Sequence, residues 1–179
     1  MNQDVPLSVK LQSPWWRSHV PALVPAEPLG YSTNHPHIGN RDVTPNELRE
    51  LWGREPLVLA NAALIRTRLF GNRQHREAKH FDVLELFAFI KPAQFCAPSV
   101  AGLALSCGEP EPQTPQAQAH VLDLVISDLC ETLKSAPLAF RLVAQSGLNL
   151  MKAQGWVWAP LIQAVLDQTQ MPADYVSPP

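Results

Sequence analysis

Cysteine is scarce in this chain of 179 residues, with only Cys96, Cys107 and Cys130. An odd number without Cys-x-x-Cys spacing argues against a disulfide framework and against a zinc knuckle. It points to a reducing compartment in which the thiols act as small buried hydrophobes. No uninterrupted apolar run approaches the ~20 residues of a membrane span, and the N-terminus lacks a cationic start followed by an apolar core. The expectation is a cytoplasmic protein with no membrane partner. Neither sign of charge is in excess: 14 basic and 16 acidic residues leave a net charge of −2. The molecule as a whole therefore lacks the positive field that drives nonspecific nucleic-acid binding. Glycine is also scarce, with 8 residues against 18 prolines, so stiff connections should take up much of the chain.

Several chemical signatures are missing. There is no G-x-x-x-x-G-K-[ST] phosphate loop and no G-x-G-x-x-G, so the chain has no recognisable grip on a nucleotide's phosphates. Neither a G-x-S-x-G elbow nor an H-E-x-x-H pair occurs, which removes the common hydrolase and zinc-protease readings. His35 and His37 flank Pro36 and could touch a metal, but no third or fourth ligand is spaced to join them, and a loop is the plainer reading.

What is present is a globular balance, 46% hydrophobic and 17% charged, in a length that suits one domain with a short appendage. Residues 1 to 40 alternate short apolar pieces with proline, as in VPALVPAEPLG, which suits irregular chain or a short edge strand better than a central one. At TPNELRELWG the signal sharpens. Thr44 is placed to cap a helix, Pro45 suits its first position, Glu47 completes a capping box and Gly53 closes it. Leu57 to Ala60 has the length of a buried parallel strand. A helix through NAALIRTRLFG follows, with Ala62, Ile65 and Leu69 on one stripe and Gly71 at its end.

Further on, FDVLELFAFIKP predicts a helix from about Asp82 to Ile90, stopped before Pro92. Ser99 to Gly108 reads as a short capped helix. Residues 116 to 133 form a long one on the repeat of Val121, Leu122, Val125, Leu129 and Leu133. Two more are expected, over 137–154 and 159–168, with Gly147 weakening the continuity of the first. Trp156 and Trp158 at their junction are either core or a docking surface.

Two groups of residues are candidates for function. Arg66, Arg68, Arg73, His75, Arg76, Lys79 and His80 form the basic cluster of the sequence, either a solvated face or a phosphate contact. Asp82 and Glu85 are either a carboxylate pair or the polar edge of a helix whose N-terminus an acid stabilises.

REPLVLANAALIRTRLFG followed by FDVLELFAFIKPAQFCAPSVAGLALSCG resembles the DnaQ-like 3′ to 5′ exonucleases of the RNase H-like fold. Those enzymes run a strand into an H-N-A-x-F-D helix, and later a D-T-L-E-L-A-R helix into a short leucine-rich one. Asn61 and Ala62 match the first pattern, Asp82 to Leu86 the second, and Leu103, Leu105 and Gly108 the third. With QGWVWAPLIQAVL, the same block is similar to the N-terminal region of bacterial ATP-dependent DNA helicases related to DinG.

The resemblance implies an α/β chain: a reduced RNase H-like fold with a small central sheet over residues 1–134, and a helical C-terminal extension with a loose tail over 135–179. Exonucleases of this kind hold two divalent metals with four acids. Here Pro25 stands for the first aspartate, Glu27 alone remains of that motif, and Ile65 replaces the second aspartate. His120 and Asp123 have the wrong spacing for the third motif. The implied role is a noncatalytic accessory domain, without cofactor, that guides single-stranded DNA through Arg66, Arg68, Arg73, Arg76 and Lys79 or positions a helicase motor in DNA repair. Two alternatives stand beside it. One is a Mg²⁺-dependent nuclease using Glu27, Asp82, Glu85 and Asp123 or Asp128; the other is a structural module that docks through Trp156 and Trp158.

Overall fold

The computed structural model describes residues 26–71, 73 and 78–169. In chain order the elements are β1 (Glu27–Gly30), β2 (His37–Ile38), β3 (Arg41–Asp42), α1 (Pro45–Trp52), β4 (Leu57–Leu59), α2 (Ala62–Phe70), β5 (Phe81–Asp82), α3 (Val83–Ile90), α4 (Val100–Ser106), α5 (Pro115–Ser135), α6 (Leu138–Ala153) and α7 (Ala159–Asp167). The strands form one mixed sheet in the order β3-β2-β1-β4-β5. β1, β2 and β3 pair antiparallel, and β4 lies parallel to both β1 and β5.

The helices start where their local chemistry directs. The Thr44 hydroxyl accepts the Glu47 N–H at 3.2 Å and the Glu47 carboxylate accepts the Thr44 N–H at 2.6 Å, completing the capping box of α1. The Ser99 hydroxyl accepts the Gly102 N–H at the start of α4, and the Thr114 hydroxyl accepts the Ala117 N–H at the start of α5.

Strand β1 corrects a sequence expectation. The part of VPALVPAEPLG before Ala26 lies outside the described residues, but Glu27–Gly30 is the middle strand of the sheet and not an edge. Proline is tolerated there because the two ladders are staggered. Glu27 and Pro28 pair with β4, whereas Leu29 and Gly30 pair with β2. A strand residue turns its N–H and C=O toward the same neighbour. Since the Pro28 carbonyl accepts the N–H of Gly39, in the β2–β3 turn, at 2.9 Å, the missing N–H of Pro28 falls at that turn and costs the ladder no bond. Gly30 is needed for another reason: the backbone of Pro115 crosses so close that an added Cβ would lie 1.6 Å from its carbonyl oxygen. The first turn of α5 thus rests on the sheet itself, and the Tyr31 N–H donates to the Gln118 side chain at 3.1 Å.

Both faces of the sheet are covered. Leu29, Ile38, Leu57 and Leu59 pack with Leu48, Trp52, Ile65 and Leu69 of α1 and α2 on one side. Val58 and Phe81 join Leu86, Leu103, Leu122, Trp158 and Leu161 on the other. That explains why β4 reads as an unbroken apolar run: alternate residues enter different cores. The second cluster runs across residues 134 and 135, so α6 and α7 share buried contacts with the sheet. Among the described residues no helix is long and apolar enough to cross a membrane.

Two glycines make opposite tests of this geometry. Gly30→Ala should lower the stability by about 3 kcal/mol or more, because a backbone must shift to admit the methyl group. Gly147 lies inside a continuous α6, and a Cβ there would meet Phe89 at 3.6 Å, an ordinary contact. Gly147→Ala should therefore raise stability by about 0.5–1 kcal/mol. Urea unfolding of the two variants against the parent chain checks both signs.

Candidate functional site

The Asp82 carboxylate stands at a junction of three elements. One oxygen accepts the N–H groups of Asn61 and Leu84, each at 3.0 Å, and the other accepts that of Ala62 at 2.7 Å. The acid thus caps its own helix α3 and also holds the start of α2, whose N-cap Asn61 adopts the left-handed conformation at φ 65°. Asn61 in turn accepts the Leu64 N–H at 3.1 Å and donates to the Pro98 carbonyl at 3.0 Å. Asparagine is among the few residues that take this backbone region readily.

The two tryptophans fasten the far end of the chain to the same place. The Trp158 indole, fully buried, donates to the Asp82 carbonyl at 2.9 Å, and the Trp156 indole donates to the Glu85 carboxylate at 3.0 Å. Burial raises the Glu85 pKa above its usual value, the Trp156 bond opposes that rise, and the charge of Asp82 adds to it. Asp82 and Glu85 are therefore each committed to a structural partner.

The remaining acids stand in other surroundings. Glu27 is exposed at the start of β1, and Asp128 pairs with Lys91 at 3.2 Å. Asp123 lies inside α5, where its carbonyl accepts the Ser127 hydroxyl. Among the described residues, no three His, Cys, Asp or Glu side chains gather as metal ligands would. His35 is exposed, but His37 is not the loop residue that its sequence context predicts. It is buried in β2, with Nδ1 2.9 Å from the Asp42 carboxylate. The thiols of Cys107 and Cys130 are pushed up to about 11 and about 12, chiefly by burial, which leaves them unreactive.

The basic cluster is divided by the fold. Arg68, exposed on α2, lies 5.9 Å over the Tyr31 ring at the end of β1. Arg73 lines an open hollow of about 580 Å³ with Arg49, Glu50, Leu69 and Phe70. Arg66 is half-buried on α2, and Lys79 donates to the Gly155 carbonyl at 3.4 Å, beside the turn after α6. Arg76 and His75 lie outside the described residues.

His80 leaves the cluster altogether. Its ring is packed 4.1 Å from that of Trp52, its Nδ1 accepts the Leu57 N–H at 3.2 Å, and burial lowers its pKa to about 4. It is uncharged at neutral pH. Arg49, outside the sequence cluster, lines the same hollow as Arg73 and is held by bonds to the Leu69 carbonyl at 3.0 Å and to Asn46 at 2.8 Å. Only its helical neighbours surround it in the sequence, so nothing there links it to Arg73.

Comparison with protein-family models, with curated proteins and with solved structures finds no match to this chain.

The junction and the histidine each make a measurable prediction. Asp82→Ala should cost about 3 kcal/mol or more, since three N–H groups lose their acceptor at once. Glu85→Gln keeps an acceptor for Trp156 and removes a charge that burial penalises, so it should be neutral or slightly stabilising at pH 7. Chemical denaturation of both variants makes the comparison. For His80 the unfolded chain takes up a proton below about pH 6.5, which the folded chain refuses until about pH 4. Stability should therefore fall between those two values. The loss attributable to this half-buried ring should be about 1–2 kcal/mol after allowance for solvent screening. Subtracting the pH profile of His80→Gln from that of the parent isolates it.

Proposed function

We propose that this chain is a noncatalytic accessory domain of an ATP-dependent DNA helicase, built on a reduced RNase H-like fold and working in the cytoplasm. It guides single-stranded DNA to the motor or holds the motor's position. The fold reading is supported by a small central sheet in which β4 runs into α2 at Asn61 and β5 runs into α3 at Asp82, followed by the short α4. The first is the strand-to-helix passage, and α3 followed by α4 the helix-to-helix passage, that the resembling motifs name.

The observation that counts against a nuclease built on Asp82 and Glu85 is the bonding of Asp82. With three backbone N–H groups on its two oxygens, it acts as a double helix cap. Glu85 and Asp128 likewise have partners in Trp156 and Lys91. A nuclease of this type needs its acids free to converge on two cations.

Binding to nucleic acid rests on the cationic side chains beside exposed or half-buried aromatic rings. Arg68 over Tyr31, and Arg73 with Arg49 beside Phe70, combine phosphate attraction with surfaces on which bases stack. Arg66, Arg76 and Lys79 complete the proposed contact set. No cofactor takes part.

Fluorescence anisotropy with a labelled single strand at low salt tests the reading. Replacing Arg66, Arg68, Arg73 and Arg76 by alanine should weaken binding by tenfold or more and flatten the salt dependence by about 0.7 in slope for each lost phosphate contact. Binding that is absent from the parent chain, or unchanged in the variant, would refute it. Shortening of the strand that depends on Mg²⁺ or Mn²⁺ would instead show a working nuclease.

A further inference from the structure

Two of the three thiols meet at one place away from the Asp82 junction. Cys130 is buried in the core, whereas Cys96 and Cys107 are half-buried and pack against the same cluster of apolar side chains. Cys96 precedes α4 and Cys107 follows it, so an extended approach to the helix would hold them apart. The chain folds back instead. The backbone of Ala97 crosses α4 at Gly102, where an added Cβ would lie 2.2 Å from the Ala97 carbonyl oxygen. Ser106 stands one turn further along that helix face. Its hydroxyl lies 3.9 Å from the Cys107 sulfur and is also a hydrogen-bonding neighbour of the Cys96 thiol. Two sulfurs that share one oxygen lie within about twice such a contact of each other, and side-chain rotation closes the remainder.

We propose that Cys96 and Cys107 form an intramolecular disulfide in the presence of a small disulfide such as oxidised glutathione. The Cys96 thiol gives its proton to water, its sulfur attacks one sulfur of the reagent, and one small thiol departs. Cys107 then passes its proton to the neighbouring Asp128 carboxylate, attacks the Cys96 sulfur of the mixed disulfide and displaces the second small thiol. Two protein thiols are oxidised and one small disulfide is reduced to two thiols. Burial makes Cys107 a poor nucleophile toward an outside reagent. In the second step its target is already beside it, and proximity offsets the scarcity of thiolate.

The bridge fastens the crossing at Gly102. With it goes Pro98, two residues from Cys96, whose carbonyl accepts the Asn61 side chain at the start of α2. Oxidation therefore stiffens one support of the α2 cap. This inference is independent of the proposed DNA binding.

Thiol titration and peptide mapping of the full chain in glutathione buffers test it. The oxidised chain, once denatured, should show one free thiol, Cys130, in place of three, should remain a monomer and should yield a peptide linked through Cys96 and Cys107. The equilibrium constant for closing the bridge should be at least about tenfold larger in the folded chain than in concentrated urea, where only the length of chain between the sulfurs brings them together. Cys107→Ser should halt the reaction at the mixed disulfide on Cys96. Equal constants in buffer and in urea would overturn the proposal, as would a bridge that includes Cys130 or a parent chain that stops at the mixed disulfide.

Discussion

A single carboxylate holds together the two helix starts on one edge of the sheet. β4 and β5 are parallel neighbours, and each turns directly into a helix, α2 and α3. Both turns leave backbone N–H groups pointing outward at nearly the same place, and those groups need an acceptor away from water. Asp82 supplies it to both. The left-handed backbone at Asn61, the position of α2 and the entry to α3 all follow from this arrangement.

The C-terminal helices depend on the same junction. Trp158 reaches the Asp82 carbonyl and Trp156 reaches Glu85, so the turn between α6 and α7 is fixed against the sheet by two indole bonds and by the burial of Trp158. Trp158 meets Phe81 edge-on at 5.1 Å and Trp156 meets Phe89 at 5.0 Å. Aromatic pairs of this kind add to the area they bury. Acids recruited for such joints are not free to hold cations, which counts against a nuclease that would use Asp82 and Glu85.

Much of the helical structure was legible from short-range chemistry. The capping box at Thr44, the cap at Ser99 and the apolar repeat of α5 each involve residues within a few positions of one another, and each appears where the pattern places it. Gly147 did not break α6, because a helix held by neighbours on one side tolerates the small cost of glycine. The sheet was far less legible. β2, β3 and β5 have two residues each, too few to show a period, and β1 contains a proline that argues against a central position unless the stagger of its ladders is known. The basic cluster was legible as composition only. Arg68 and Arg73 remain exposed, His80 is half-buried against Trp52, and Arg49 joins Arg73 from another helix.

The sequence by itself determined which segments are helical, that Thr44 and Ser99 cap two of them and that β4 is buried, because those properties arise among residues near in the chain. Only the tertiary structure decided that Glu27–Gly30 is the central strand, that Asp82 serves two helices and that His80 carries no charge. Each of these depends on a partner 9 to 85 residues away, Ile38 for Leu29 at the near end and Pro115 for Gly30 at the far one, with Asn61 and Leu57 between. A contact across that distance forms only when the intervening chain has folded, and nothing in the local pattern records it.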